Sequence, residues 1–172
     1  MRQAGKIVAT VLMELRERVK PGTTLIELDH IADRIIREHE AVPSFKGKQH
    51  TEPDAPPFPA SICTSVNDEI VHGIPSSRRL KEGEILKLDA GAYYKGYHAD
   101  SAVTIPVGNV SKEANELIRV TQECLTAAIA ATRSGNRTGD IGAAIQQTAE
   151  SQGFSDLERH SSFDRQWRAA NC

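Results

Sequence analysis

The 172-residue sequence lacks the features that mark several specialised classes of protein. No apolar run approaches the roughly 18 residues of a membrane-spanning helix, and the N-terminus shows no signal-peptide pattern. A net charge of −2 gives no long-range attraction to nucleic acid or to an anionic membrane surface. We therefore expect a cytoplasmic protein, neither exported nor bound to nucleic acid or membrane, with a single domain large enough to bury a core.

Cysteine and aromatic residues are also sparse. The three cysteines, Cys63, Cys124 and Cys172, form neither a CxxC pair nor an even set, so we predict free thiols in a reducing compartment. Aromatic residues make up only 5% of the chain, and the single tryptophan, Trp167, lies in a segment that does not resemble a core element. Aliphatic side chains must therefore supply most of the core.

Two amphipathic helices are predicted at the start of the chain. Residues 3–19 place aliphatic side chains at helical spacing, and a Lys-Pro-Gly sequence then ends the helix. The second helix follows Thr24, and Thr24 and Glu27 have the spacing of a capping box. This pattern predicts a helical pair joined by a short turn.

The middle of the chain is predicted to form a β-structure. Residues 41–59 hold five of the eight prolines and predict an extended loop. A buried strand over 60–66 follows, then a turn-rich connection over 67–83. Alternating apolar residues over about 84–106 predict a β-hairpin.

Two more helices are predicted after the hairpin, over 111–132 and 139–152. Ser111 suits the N-cap of the first, and Gly153 lies just past the end of the second. This second helical pair resembles the first pair, but no comparable strands are evident after it. The internal repeat therefore predicts two similar halves, of which the second is incomplete.

Two aspartates, Asp89 and Asp100, lie in the otherwise apolar strands of the predicted hairpin. A turn centred on Tyr94 and Lys95 would place them directly opposite each other, where like charges destabilise a sheet. Opposed carboxylates can share hard divalent cations, and oxygen donors favour Mn, Mg, Fe or Co over a structural zinc. The alternative is a different register, in which one aspartate is a simple turn or edge residue.

Three other side chains are candidates for the same site. His98 precedes Asp100 by two residues and so shares its strand face, which makes it either a third ligand or a partly exposed histidine beside a turn. His72 lies between apolar residues and a glycine, where a structural role is the simpler interpretation. Cys63 is most simply a small buried hydrophobic residue.

Several segments together resemble the N-terminal half of the type I methionine aminopeptidases. They are the opening MRQAGKIVATVL, then PSFKG, FPASICTSVNDEIVHGIP and LKEGEILKLDAGAYYKGYHADSAVTIPVG. The similarity runs from residue 1 to about residue 155. We therefore expect residues 1–155 to form a partial domain of this kind and residues 156–172 to be a non-matching, disordered tail.

The resemblance implies an α/β (α+β) pita-bread fold, in which helices cover an antiparallel sheet and two divalent metal ions (Co, Mn, Fe or Zn) lie between similar halves. It implies that Asp89 and Asp100 are metal ligands. It also implies that His72 contacts the substrate and stabilises the tetrahedral intermediate. In the family, the residues at the positions of Cys63 and Phe58 line the pocket for the methionine side chain, so the resemblance implies this role for both.

The resemblance implies removal of the N-terminal methionine from nascent polypeptides, at the ribosome, by a monomeric enzyme. The family gives His98 no ligand role, and its further ligands, a histidine and two glutamates, are not recognisable here. His160 comes too early and lacks flanking glycines. We therefore expect a truncated, weakly active or inactive form. The alternatives are a non-catalytic peptide-binding or chaperone-like module of the same fold, or a non-functional product.

Overall fold

The computed structural model describes residues 1–49 and 56–155. The chain divides into two compact units, Met1–Val110 and Ser111–Cys172. The predicted tail over 156–172 lies outside the described residues.

The first unit begins with the predicted helical pair, α1 (Arg2–Arg16) and α2 (Leu25–Glu38). The capping box is present at the start of α2: Glu27 N donates to Thr24 Oγ1 over 3.3 Å, and Thr24 N donates to Glu27 Oε2 over 2.7 Å. These two bonds satisfy backbone donors that the helix itself cannot pair. The capping prediction is therefore confirmed.

Four antiparallel strands follow: β1 (Val42–Pro43), β2 (Ile62–Val66), β3 (Ile85–Tyr94) and β4 (Tyr97–Pro106). β3 is central, with β4 along one side and β1 and β2 sharing the other. The strand and the hairpin are as predicted. β1 is an addition, since its residues were expected to lie in a loop.

The predicted register of the hairpin is wrong. Tyr94 pairs with Tyr97, so the two-residue turn is Lys95 and Gly96, with φ angles of +46° and +89°. A type I′ turn needs positive φ at both central positions, and glycine adopts this conformation at no steric cost. Asp89 consequently lies opposite Ala102, and Asp100 lies opposite Gly91.

One face of the sheet packs against the two helices. The core there combines side chains from both helices with those of β3 and β4, and its fully buried members on β3 are Leu86, Leu88, Ala90 and Ala92. Because side chains alternate along a strand, the residues between them point to the other face. That face, called the site face below, carries Cys63 of β2, Asp89 and Gly91 of β3, and His98 and Asp100 of β4.

The second unit contains α3 (Lys112–Ala131) and α4 (Thr138–Ser151). Ser111 caps α3, because its Oγ accepts from Ala114 N over 3.0 Å, and Gly153 follows α4 with φ +81°. The buried core that the described part of this unit forms is small and consists of Val120, Cys124 and Ala149. None of the helices in the described ranges is both long and apolar enough to span a membrane.

Candidate metal and substrate site

Asp89 and Asp100 share the site face, diagonally across the β3–β4 hairpin rather than directly opposite. The shift between the predicted and observed registers is two residues, which leaves both side chains on the predicted face. Asp89 is half-buried, and its Oδ1 atom is buried without a hydrogen-bond partner in the described structure. A buried, unpaired carboxylate oxygen is costly in an isolated domain.

The electrostatics of this pair are unfavourable in the absence of a cation. Burial, followed by the negative charge of Asp100, raises the pKa of Asp89 to about 6. Burial, followed by the charges of Asp89 and Asp100, also raises the pKa of the adjacent Cys63 thiol to about 12. Cys63 is therefore a protonated, weakly polar side chain near neutral pH rather than a thiolate ligand.

The donor set suits a hard divalent cation, because both available groups are carboxylates. Among residues 1–49 and 56–155, however, no group of three or more His, Cys, Asp or Glu side chains is arranged to hold a metal ion. Within these residues, His98 therefore does not complete a three-ligand group with Asp89 and Asp100. His160 lies outside the described residues.

His98 makes other contacts instead. Its Nδ1 atom lies 2.9 Å from Ser44 Oγ, within hydrogen-bond distance. Its ring lies beside that of Tyr93, its cross-strand partner, with centroids 4.6 Å apart. These two contacts fix the orientation of the imidazole on the site face.

His72 is exposed and has a φ of +61°. Positive φ is uncommon outside glycine and costs on the order of 1 kcal/mol. The next residue holds the segment in place, because Gly73 O accepts from Thr64 N over 2.8 Å and Gly73 N donates to Ser65 Oγ over 3.1 Å. His72 thus lies beside β2, the strand that pairs with the Asp89 strand.

Gly73 is required at this edge of β2. A Cβ atom added there would lie 2.2 Å from the carbonyl oxygen of Thr64. Only glycine allows the chain to approach β2 so closely, so the position of His72 depends on it.

The two predicted pocket residues occupy different places. Cys63 is buried on the site face, with Asp89 as its cross-strand partner. Phe58 is half-buried and pairs through its backbone with the segment after β1: Gly47 N donates to Phe58 O over 2.8 Å, and Phe58 N donates to Lys48 O over 3.0 Å.

Sequence reasoning missed a cleft beside Asp100. It has a volume of about 490 Å³ and is lined by residues 44–48 and 98–100. Gly91, the partner of Asp100, makes this arrangement possible, because a Cβ there would lie 2.9 Å from both the Phe45 ring and Ser44 Cβ. The PSFKG segment and the glycine between the carboxylate positions were the available signals.

Comparison with known proteins places these features in context. A sequence model of metallopeptidase family M24 matches residues 1–163. Methionine aminopeptidase 1 of Bacillus subtilis is 47% identical over 160 residues, which cover 93% of this chain and 62% of that protein. The methionine aminopeptidase of Clostridium perfringens is 46% identical over 155 residues, covering 90% and 59%.

Solved structures give the same result. A methionine aminopeptidase from Rickettsia prowazekii has a TM-score of 0.83 at 35% identity, and one from Thermotoga maritima has 0.83 at 39%. The aligned regions cover 90% and 89% of this chain, and 59% of each solved chain. The resemblance to methionine aminopeptidases and the pita-bread fold class are confirmed, and the chain spans about 60% of the length of these relatives.

Proposed function

The chain belongs to metallopeptidase family M24, and from this we propose that it carries part of the site of a metal-dependent aminopeptidase that removes N-terminal methionine from nascent polypeptides. The observation that carries the proposal is the buried, unpaired Oδ1 of Asp89 beside a second carboxylate, Asp100. Within this family, such a pair is most simply a place for cations.

Asp89 and Asp100 would hold two divalent metal ions, with Co, Mn, Fe or Zn as candidates. When bound, such ions polarise a scissile carbonyl and lower the pKa of water, which supplies a nucleophile near neutral pH. The chain's own contribution is to hold two carboxylates on one rigid sheet face, where the positions of the strands fix their separation.

His72 would contact the substrate near the scissile amide and stabilise the tetrahedral intermediate through a hydrogen bond. Its left-handed backbone conformation supports this role, because strain of this kind is retained where a side chain must be held in a particular place. The close approach of Gly73 to β2 supplies the restraint that the strain requires.

The pocket for the methionine side chain would include Cys63 and Phe58. Because the Cys63 thiol stays protonated, it offers a neutral and polarisable surface to a thioether. Nascent peptide N-termini at the ribosome would be the partners of a monomeric, cytoplasmic protein.

A second candidate function is peptide binding without catalysis. It is favoured by the absence of a cluster of three or more ligands within the described residues. Two carboxylates leave most coordination positions of each ion to water, so we expect about millimolar affinity for Mn²⁺. We therefore expect the purified 172-residue chain to release no methionine from a Met-Gly peptide above a metal-only control.

Thermal unfolding with increasing Mn²⁺ tests the metal proposal without depending on turnover. Binding to the folded state raises the Tm, so the wild type and the surface control Glu17→Gln should both be stabilised at millimolar Mn²⁺. Asp100→Asn should remove this stabilisation. An equal rise in the Tm of Asp100→Asn would contradict the assignment of these carboxylates.

Peptide hydrolysis separates the two functions. Methionine release by this chain that is lost in both Asp89→Asn and His72→Ala would show that it forms a working site by itself. Peptide binding without any release would favour the non-catalytic module.

A further inference from the structure

The strand β4 forms one edge of the sheet. It pairs with β3 over its full length, and within the part of the chain that the structure describes no strand pairs with its other side. The middle of the strand is open to solvent, because Asp100, Ser101 and Ala102 are all exposed. An edge strand of this kind presents a row of backbone groups that another strand can bind.

The hydrogen bonds of β3 show which backbone groups of β4 face that free edge. Gly91 O accepts from Ser44 N over 3.0 Å, on the side of β3 away from β4, so Gly91 and its partner Asp100 form a non-hydrogen-bonded pair. Hydrogen-bonded and non-hydrogen-bonded pairs alternate along an antiparallel ladder. The backbone N–H and C=O groups of Asp100, Ala102 and Thr104 therefore all face the free edge.

The sequence of β4 lacks the common features that protect an edge strand. Its register with β3 continues without a bulge over all ten residues, it contains no lysine or arginine, and its only proline is its last residue, Pro106. Natural proteins usually shield a long edge with lysine, proline, a bulge or a covering element. We therefore expect this edge to be paired in solution.

We propose that a second copy of this chain occupies the edge, with the two β4 strands antiparallel about a two-fold axis at Ala102. Such a contact uses the same surface of both copies and joins two four-stranded sheets into one continuous sheet. In this register Asp100 lies opposite Thr104 of the partner subunit, whose hydroxyl can donate a hydrogen bond to the carboxylate. A peptide strand is the alternative occupant, and it would leave the chain a monomer.

Charge and hydrogen bonding select this register over its neighbours. A shift of two residues in one direction makes the two Asp100 side chains diagonal neighbours, which brings like charges together. A shift in the other direction places Asp100 opposite Pro106, which has no N–H to donate. Pairing about Ala102 avoids both penalties. The contact requires neither a metal ion nor an N-terminal methionine, so it goes beyond the proposed function and can fail separately from it.

Sedimentation velocity in metal-free buffer measures the association. Because the contact is small, we expect a transient dimer that forms at about 100 µM chain and dissociates at about 1 µM. The monomer of the proposed function is then the form at low concentration. Ala102→Pro removes an outward N–H from the centre of the contact without removing a bond to β3, so this variant should be monomeric at both concentrations.

Thr104→Glu tests the register. It places a second carboxylate opposite Asp100 of the partner subunit at both symmetric positions, so we expect the dimer to weaken about tenfold. The new carboxylate would lie opposite Lys87 on β3 of its own chain, so the monomer should keep its fold. Adding Asp100→Asn to Thr104→Glu removes the repulsion and should restore most of the association. The surface control Glu17→Gln should associate like the wild type.

A chain that stays monomeric at 100 µM, or a dimer that survives Ala102→Pro, would overturn the edge contact. A dimer that Thr104→Glu leaves unchanged would overturn the register. Circular dichroism of each variant distinguishes loss of the dimer from loss of the fold. The metal proposal is judged separately by the Mn²⁺ response of Asp100→Asn.

Discussion

Asp29 and Asp33 of α2 lie against the start of β2, whereas Asp89 and Asp100 lie on the site face of the hairpin. Asp29 is buried, and its Oδ1 accepts from Ser61 N over 2.7 Å and from Ile62 N over 3.1 Å. These bonds connect the helix to Ser61, just before β2, and to Ile62, the first residue of β2, and they satisfy both partners.

The carboxylate of Asp33, like that of Asp29, is hydrogen-bonded to several donors. It accepts from Arg37 Nε over 2.7 Å, from Ser61 Oγ over 2.7 Å and from Lys46 Nζ over 3.2 Å. The hydrogen bond from Arg37 is the main reason that the pKa of Asp33 lies well below its ordinary value. Burial and Asp100, by contrast, raise the pKa of Asp89.

The difference shows how a structural carboxylate is distinguished from a candidate binding site. A buried or half-buried polar group whose role is to connect two elements of the fold is normally hydrogen-bonded, as Asp29 and Asp33 are. A carboxylate that is left beside a like charge, with one oxygen unpaired, is destabilising unless a ligand completes it. Asp33 and Asp89 belong to the same compact unit of the chain, yet their pKa values shift in opposite directions. This contrast is therefore informative about function.

The largest effect is expected from Asp29→Ala. It would leave the backbone N–H groups of Ser61 and Ile62 unpaired in a buried place, which costs about 3 kcal/mol of unfolding free energy. Urea denaturation measures this loss. Asp29→Asn keeps one acceptor oxygen and should lose clearly less. An unchanged midpoint for Asp29→Ala would mean that these bonds do not connect α2 to β2.

Asp89→Asn should raise the unfolding free energy at neutral pH, whereas Asp29→Ala should lower it. Because the folded-state pKa of Asp89 is raised to about 6, the folded state binds more protons than the unfolded state between the unfolded value, 3.8, and that pKa. The stability contribution of this group is therefore full below the unfolded pKa and is lost as the pH rises through about 6.

Asp89→Asn cannot ionise, so it does not lose stability as the pH rises through about 6. In metal-free buffer we expect Asp89→Asn to be more stable than the wild type by about 1–2 kcal/mol at neutral pH, with the difference vanishing near pH 4. Urea denaturation at several pH values measures it. A constant difference across this range would show that Asp89 titrates normally, and the contrast with Asp33 would then disappear.

Much of the fold is predictable because each element carries a local signal. The capping box at Thr24 and Glu27 and the alternation along the hairpin have direct physical causes, and both appear in the structure. The register was missed because Gly96 was not given its role in a two-residue turn. β1 was missed because its pairing, Val42 with Tyr93, is a long-range contact that no local pattern shows.

The site was predictable in part for the same reason. Carboxylates in apolar strands are anomalous, so Asp89 and Asp100 stood out. Asp29 carried a comparable signal, since it lies four residues after Leu25 on the apolar side of α2. The cleft was missed although PSFKG and Gly91 were visible in the sequence, because only the packing of Phe45 against Gly91 in space shows that the two segments meet.

The smallest effect is expected from Asp33→Asn. Its partners Arg37 and Lys46 are about half exposed, so the ion pairs are worth only about 1 kcal/mol together. Because the folded-state pKa is lowered, this stability is present above the unfolded value of 3.8 and is lost as the pH falls below it. Asp33→Asn should therefore be less stable than the wild type at neutral pH and converge with it in acid, which is a loss that Asp89→Asn should not show. Urea denaturation with added salt supplies the control, since salt should reduce the deficit of Asp33→Asn. A deficit that persists unchanged in acid would show that Asp33 acts through packing rather than charge, and its contrast with Asp89 would no longer be electrostatic.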